Sequence, residues 1–155
     1  MEIAIKQLHE NEFVSIKDQL FNLQKENVQL SFPDKIVKAE YVQARIDSIY
    51  SFLQQDKAIV FLAMEGETVV GFIWCYPRFF YDEQRIFINS LIVLENYRSK
   101  NIGKKLVEKV ENYAKDNAYD AVDVSAASFN HSGLKFYRNN GFSDERIQLV
   151  KRIRG

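Results

Sequence analysis

Hydrophobic positions along the chain change period several times, and each change marks an element. Ile3, Ile5 and Leu8 suggest a short first strand with an alternating pattern. Phe13, Ile16, Leu20 and Leu23 then fall at spacings of three and four, the apolar stripe of a helix. Pro33-Asp34 interrupts the chain, and Val42, Ile46, Ile49 and Leu53 form a second stripe of the same kind. Ala58 to Met64 is a compact apolar run that reads as a strand, and Glu65-Gly66-Glu67 reads as a tight turn. Thr68 to Tyr76 continues as a further strand in which Gly71 marks either a bulge or a close backbone approach. Pro77 is expected to end it, leaving Arg78 to Gln84 as an aromatic, charged connection.

Ile86 to Leu94 is apolar on both faces, which predicts an interior strand. Its middle carries Asn89 and Ser90, where a purely structural strand would have apolar residues. Leu106, Val107, Val110, Tyr113 and Ala114 make the next helix stripe. Val122, Val124 and Ala126 alternate with Asp123 and Ser125 in a fifth strand, and a short helix runs from about Ser132 to Asn139 before Gly141. Ile147 to Ile153 is expected to form a last strand. The pattern predicts an α+β fold, a mixed and mostly antiparallel sheet flanked by helices, in one domain spanning residues 1–155.

Composition narrows the function. The 155 residues are 46% hydrophobic and 14% aromatic, enough for a real core and too apolar for a disordered chain. Twenty-one basic and 21 acidic residues cancel, so overall charge gives no reason to expect a nucleic-acid partner, and any anion site must be local. Cys75 is the single cysteine and His9 and His131 the only histidines, so neither a disulfide within the chain nor a metal site is expected. Residues 1–8 lack the apolar core of a signal peptide, and no run reaches membrane-spanning length. These features predict a cytoplasmic protein with no membrane association.

Chemistry concentrates between the interior strand and the long helix. The connection Tyr97-Arg98-Ser99-Lys100-Asn101-Ile102-Gly103-Lys104-Lys105-Leu106 gathers four basic residues at a helix start, where acids are normally preferred. Like charges beside the positive end of a helix repel unless an anion sits there, and the free N–H groups of the first turn suit that anion. Gly103 lets a ligand approach the backbone, and Asn101 tolerates left-handed dihedrals. A solvated basic helix start is the competing reading of this loop alone. The spacing is neither that of a Walker loop nor that of the three-glycine dinucleotide fingerprint. Downstream, Asn130-His131-Ser132-Gly133-Leu134-Lys135-Phe136-Tyr137-Arg138-Asn139-Asn140-Gly141-Phe142 joins an Asn, a helix and a Tyr followed by Gly-Phe. Taken singly, these residues read equally as packing and helix caps.

Together and in this order, the two segments resemble the GNAT superfamily of acyl-CoA N-acyltransferases. Leu91 to Leu106 is similar to its strand-loop-helix motif, Gln/Arg-x-x-Gly-x-Gly/Ala, with Arg98 first, Gly103 last and Asn101 in place of the first glycine. Asn130 to Phe142 is similar to Asn-x-x-(small)-x-x-Phe-Tyr-x-x-x-Gly-Phe, with Gly133 at the small position. The resemblance implies an acetyltransferase that uses acetyl-CoA and no metal, and passes the acetyl group directly to a primary amine. It implies that the strand at Leu91, Ile92 and Val93 receives the pantetheine arm, with the main chain of Leu91 and Val93 pairing with the arm's amides. Backbone N–H groups of Arg98, Ser99, Lys100, Asn101, Ile102, Gly103 and Lys104 would hold the pyrophosphate, and Asn130 would bond the pantetheine.

By the same resemblance Tyr137 would protonate the leaving thiolate; a Tyr near ~10 can protonate a thiolate of pKa near ~8.5 at modest cost. Asn89 and Ser90 would line the acetyl end of the cleft, a β-bulge being the alternative. Asp82, Glu83 and Asp123 are candidate bases beside a water held by backbone groups. The tract Tyr76 to Glu83 mixes rings with acids and could face a cationic amine, or simply pack. The acceptor stays open among small-molecule and peptide amines, as does oligomeric state, a homodimer included. A non-catalytic acyl-CoA-binding or sensor module, and a phosphate-binding regulatory domain, are the rival readings.

Overall fold

A computed structural model describes residues 2–155. The chain divides into two compact units, one reaching Ser125 and the other running from Ala126 to Gly155. The first unit holds β1 (Ala4–Gln7), α1 (Phe13–Ser31), α2 (Ala39–Gln54), β2 (Ile59–Glu65), β3 (Thr68–Phe80), β4 (Glu83–Val93), α3 (Ile102–Asp116) and β5 (Ala121–Val124). Its sheet has the order β1-β2-β3-β4-β5. Neighbours are antiparallel except β4 and β5, which run parallel and are joined by α3, as a parallel pair requires a long crossover.

The helix stripes face the sheet as their spacing predicts. Phe13, Ile16, Leu20 and Leu23 of α1 and Ile46, Ile49 and Leu53 of α2 share one cluster with Val60, Leu62, Phe72, Trp74 and Ile92. The alternate residues Ile73 and Cys75 turn to the opposite face, the side on which α3 buries Ile102, Leu106, Val107, Val110 and Ala114. Leu8 lies past the end of β1 yet is buried, and its N–H bonds the Val60 carbonyl at 2.8 Å.

Two irregularities shape β3 and β4. The register with β2 shifts between Ala63 and Met64, leaving Val70 as an extra residue beside Gly71. Gly71 also meets β4 closely: a Cβ there would stand 2.9 Å from the Ile92 carbonyl oxygen. Both readings of Gly71 therefore hold. The register with β4 passes from Trp74↔Ser90 to Cys75↔Ile88, so Asn89 is a bulge residue. The bulge changes the parity of the strand, turning Ser90 and Ile92 to the α1/α2 face and Ile88 to the other.

Residues 78–84 are not a connection. The ladder continues through Arg78↔Arg85, Phe79↔Gln84 and Phe80↔Glu83, and only Tyr81-Asp82 turn, with Tyr81 at φ 55°. Pro77 is tolerated because β3 has left its β2 neighbour beyond Cys75 and is an edge there. Cation–π stacking of Arg78 on Phe87 and of Arg85 on Phe80, each at 4.0 Å, uses the charges that suggested a loop.

The second unit contains α4 (His131–Asn139). The strand expected over Ile147 to Ile153 does not form: residues 142–155 have no helix or strand, and Ile147 and Leu149 are 85% and 89% exposed. A strand needs a ladder partner, and β-branched residues alone do not supply one. The fifth strand likewise ends at Val124, short of Ala126.

Candidate functional site

The bulge and the short fifth strand together open β4. Pairing with β5 runs from Arg85↔Ala121 to Ile88↔Val124 and stops there. Leu94 donates its N–H to the Val70 carbonyl at 2.8 Å, so position 94 faces β3. Alternation then turns the N–H and C=O of Leu91 and Val93 to the opposite edge, where β5 no longer runs. The Val93 carbonyl accepts Arg98 Nε at 2.9 Å. Ile92, between them, is buried in the α1/α2 core.

Beyond β4 the chain makes a 3-10 turn over Glu95–Lys100 and enters α3 through Asn101, at φ 61° and ψ 19°. Asn101 caps nothing with its side chain, and the first turn of α3 has no acid. The first intrahelical bond runs from Lys105 N–H to the Asn101 carbonyl at 3.1 Å. The N–H groups of Ile102, Gly103 and Lys104 thus precede the helix ladder and aim outward. Among the described residues, Lys100, Lys104 and Lys105 have no ion-pair partner. Lys100 stands 5.1 Å over the ring of Tyr97, whose hydroxyl donates to Glu65 at 2.8 Å. That hydrogen bond raises the Tyr97 pKa above its ordinary value.

Arg98 corrects the expectation of four uncompensated cations. It pairs with Glu26 of α1 at 2.9 Å while holding the Val93 carbonyl. It is a strut between helix, strand and loop, and the excess positive charge comes from the lysines. Ser99 is exposed within the turn.

Asn130 and Tyr137 lie in the second unit, and local structure accounts for both. Asn130 is the N-cap of α4, accepting the Gly133 N–H at 3.0 Å. A Cβ at residue 133 would stand 2.8 Å from Asn130 Cγ, so the small position guards the cap. At the other end Phe142 N–H bonds the Tyr137 carbonyl at 3.0 Å and Gly141 N–H bonds Arg138 at 3.2 Å, with Gly141 at φ 91°. This is a Schellman ending. The Tyr137 ring packs edge-on between Phe136 and Phe142, at 5.3 and 5.4 Å.

Of the three candidate bases, Glu83 and Asp123 are occupied by arginines. Glu83 pairs with Arg85, and Asp123 with Arg78 at 3.0 Å and Arg85 at 3.4 Å. Asp82 is exposed at the hairpin tip beside Tyr81. The tract Tyr76 to Glu83 therefore belongs to a hairpin in which Arg78 and Glu83 pair with residues outside the tract and Asp82 meets solvent.

Two polar residues escaped notice in the sequence. Gln24 of α1, fully buried, and Arg45 of α2 converge on the bulge: Arg45 Nη2 donates to Asn89 Oδ1 at 3.0 Å and to Ser90 Oγ at 3.1 Å, and Ser90 Oγ donates to Gln24 Oε1 at 3.3 Å. A signal was present. Gln24 sits four residues from both Leu20 and Val28, and Arg45 lies between Val42 and Ile49 on the apolar stripe.

A cavity of about 400 Å³ lies at the far end of α3, lined by residues including His9, Asp56, Tyr113 and Tyr119. It contains no residue of β4 or of the α3 N-terminus, so it is separate from the opening described above. Among the described residues no group of three His, Cys, Asp or Glu could hold a metal ion, and no helix is long and apolar enough to cross a membrane.

A family model described as the acetyltransferase (GNAT) family matches residues 18–142. The Drosophila melanogaster protein named probable N-acetyltransferase san is 29% identical over 110 residues, 69% of this chain and 60% of the relative. N-alpha-acetyltransferase 30 of Xenopus laevis is 36% identical over 108 residues, 64% of this chain and 38% of the relative. The chain thus spans well under the full length of these curated relatives. An aminoglycoside N-acetyltransferase solved in complex with CoA superposes with a TM-score of 0.73 at 17% identity, covering 98% of this chain and 95% of that one.

Proposed function

This chain belongs to the acetyltransferase (GNAT) family, and from that premise we propose that it moves an acetyl group from acetyl-CoA to a primary amine by direct attack. The observation that carries the proposal is one juxtaposition. A helix start with outward N–H groups and unpaired lysines follows directly on a strand whose second edge has lost its neighbour. A diphosphate fits the first feature and an extended amide-bearing arm fits the second.

Acetyl-CoA supplies the thioester whose carbonyl carbon the amine attacks. Backbone N–H groups over Arg98 to Lys104 hold the diphosphate, with Lys100 and Lys104 adding charge. Leu91 and the Val93 N–H pair with the arm, Arg98 already engaging the Val93 carbonyl. The family motif gives Asn130 a further bond to the arm. The amine must lose a proton before attack; Glu83 and Asp123 are tied to arginines, and water held by backbone groups can take that proton without a carboxylate. A C–N bond forms, the nitrogen sheds its second proton to solvent as the C–S bond breaks, and Tyr137 delivers a proton to the departing thiolate and regains one from solvent. The acceptor is a small-molecule or peptide amine, in keeping with a structural neighbour named for aminoglycosides and a relative named an N-alpha-acetyltransferase.

Thermal unfolding with added acetyl-CoA tests the proposal. Binding to the folded state stabilises it by about 2.7 kcal/mol at a hundredfold excess over Kd, and Gly103→Val removes that gain by placing a branched side chain at the diphosphate approach. CoA release across an amine panel then separates an enzyme from a binding module. An unchanged melting temperature in millimolar acetyl-CoA refutes the assignment.

A further inference from the structure

We propose that Arg45, with Gln24, forms an anion-recognising subsite, and that the acceptor amine carries a carboxylate or phosphate group close to the nitrogen it presents. The inference rests on the acetyltransferase reading and adds the chemical class of the acceptor.

Arg45 places a half-buried guanidinium on the apolar stripe of α2, with its Nε fully covered, and a charge partly withdrawn from water is costly without an acidic partner. Among the described residues no carboxylate pairs with it. Its contacts are neutral oxygens: Asn89 Oδ1 at 3.0 Å and Ser90 Oγ at 3.1 Å, with the Tyr41 ring at 5.9 Å. Its Nε is buried and has no acceptor among the described residues. A second donor nearby is in the same state: Gln24 is 0% exposed, its Oε1 accepts from Ser90, and its Nε2 has no acceptor. Both side chains meet at Ser90 Oγ. Buried donors are almost always satisfied in folded proteins. Two orphans and one uncompensated positive charge around a single hydroxyl point to an absent anionic acceptor.

The position adds the functional link. Asn89 is the bulge residue at which β4 loses β5, and Leu91 and Val93, just beyond it, offer the open edge. An anion held by Arg45 and Gln24 therefore sits on the α1/α2 face of the strand that receives the thioester arm. An amine joined to that anion by a short linker would be presented to the opening. Retaining Arg45 solely to prop the bulge would require only its two neutral contacts, and leaves the orphan donors and the charge unexplained.

The experiment compares acetyl transfer to acceptors paired with and without the anionic group, with kcat/KM expressed per neutral amine. Glycine against glycinamide and β-alanine against its amide form the carboxylate arm; glucosamine 6-phosphate against glucosamine forms the phosphate arm. In the wild-type protein the anionic member of at least one arm is expected to show a kcat/KM about tenfold or more above its neutral partner, mainly through KM. The arm that responds identifies the source of the anion. In Arg45→Gln the ratio falls to about one, and Arg45→Lys restores part of it. Acetyl-CoA stabilisation, measured on the same samples, monitors the cosubstrate site separately. Equal rates within every wild-type pair, alongside normal acetyl-CoA binding and measurable transfer, overturn the subsite and leave the acetyltransferase reading intact. A ratio unchanged in Arg45→Gln also overturns it. Failure of acetyl-CoA to stabilise the protein, with no transfer to any amine, overturns both.

Discussion

At the scale of single residues, Tyr137 has a structural role that is separable from the chemical one proposed for it. Its carbonyl accepts the Phe142 N–H that closes α4, and its ring lies between two phenylalanines. Tyr137→Phe keeps the carbonyl and the ring and removes only the hydroxyl. Turnover is expected to fall about 10²-fold, toward the low end for general-acid assistance, because a thiolate is already a tolerable leaving group. An interaction made only in the transition state lowers kcat and kcat/KM together, so steady-state kinetics should show both falling while acetyl-CoA affinity stays constant. Wild-type turnover in this variant would leave Tyr137 as a helix-ending residue and nothing more. The helix itself was legible beforehand, because the spacing from Asn130 through Gly133 to Gly141-Phe142 is that of a helix capped at both ends. Arg98 was legible only in part. Its charge was visible in the loop, whereas its pairing with Glu26, 72 residues away, was not.

At the scale of elements, the hairpin of β3 and β4 carries the opening, and Gly71 sets how closely its strands approach. A Cβ at residue 71 would meet the Ile92 carbonyl oxygen at 2.9 Å and Val93 Cγ2 at 3.3 Å. Because one of those atoms is backbone, relief requires the strands to part. Gly71→Ala should therefore cost about 1–3 kcal/mol, as overpacking in a tight interior does. Urea unfolding should show a lower midpoint at an unchanged slope. The same displacement moves the edge at Leu91 and Val93, so acetyl-CoA binding should weaken as well. A variant with the wild-type midpoint would show that the strands yield freely there. The extent of this hairpin was misread in the sequence for a physical reason. Charged and aromatic residues at 78–84 look like a loop until Arg78 and Arg85 find Asp123, Phe87 and Phe80 across the sheet.

At the scale of the whole molecule, Cys75 reports on the cohesion of the larger unit. It is fully buried in β3 opposite Ile59 and Ile88, and burial pushes its thiol pKa well above the ordinary value. A thiol reagent at pH 8 meets little thiolate and no access unless the sheet opens. Labelling of the native protein should be slower than in urea by at least about 10³-fold, the lower end of folding equilibria for small domains. Saturating acetyl-CoA should slow it further, since it binds only the folded state. Fast native labelling would mean that β3 opens locally without the rest of the sheet.

The amino-acid sequence by itself determined what is encoded within a few neighbouring residues. Helix stripes at 13–23, 42–53 and 106–114 repeat every three or four positions and face the core accordingly. The lysines around Gly103 lie at one helix start, and the caps of α4 are local hydrogen bonds. These features need no distant partner, so composition and spacing suffice. Only the tertiary structure decided what depends on pairing. The bulge that turns Asn89 and Ser90 toward α1 and α2 exists because β3 and β4 settle into one register among several. Arg45 and Gln24 reach that bulge across separations of 44 and 66 residues. The apolar residues at 147–153 form no strand in the described structure, because strand formation needs a neighbouring ladder as well as propensity.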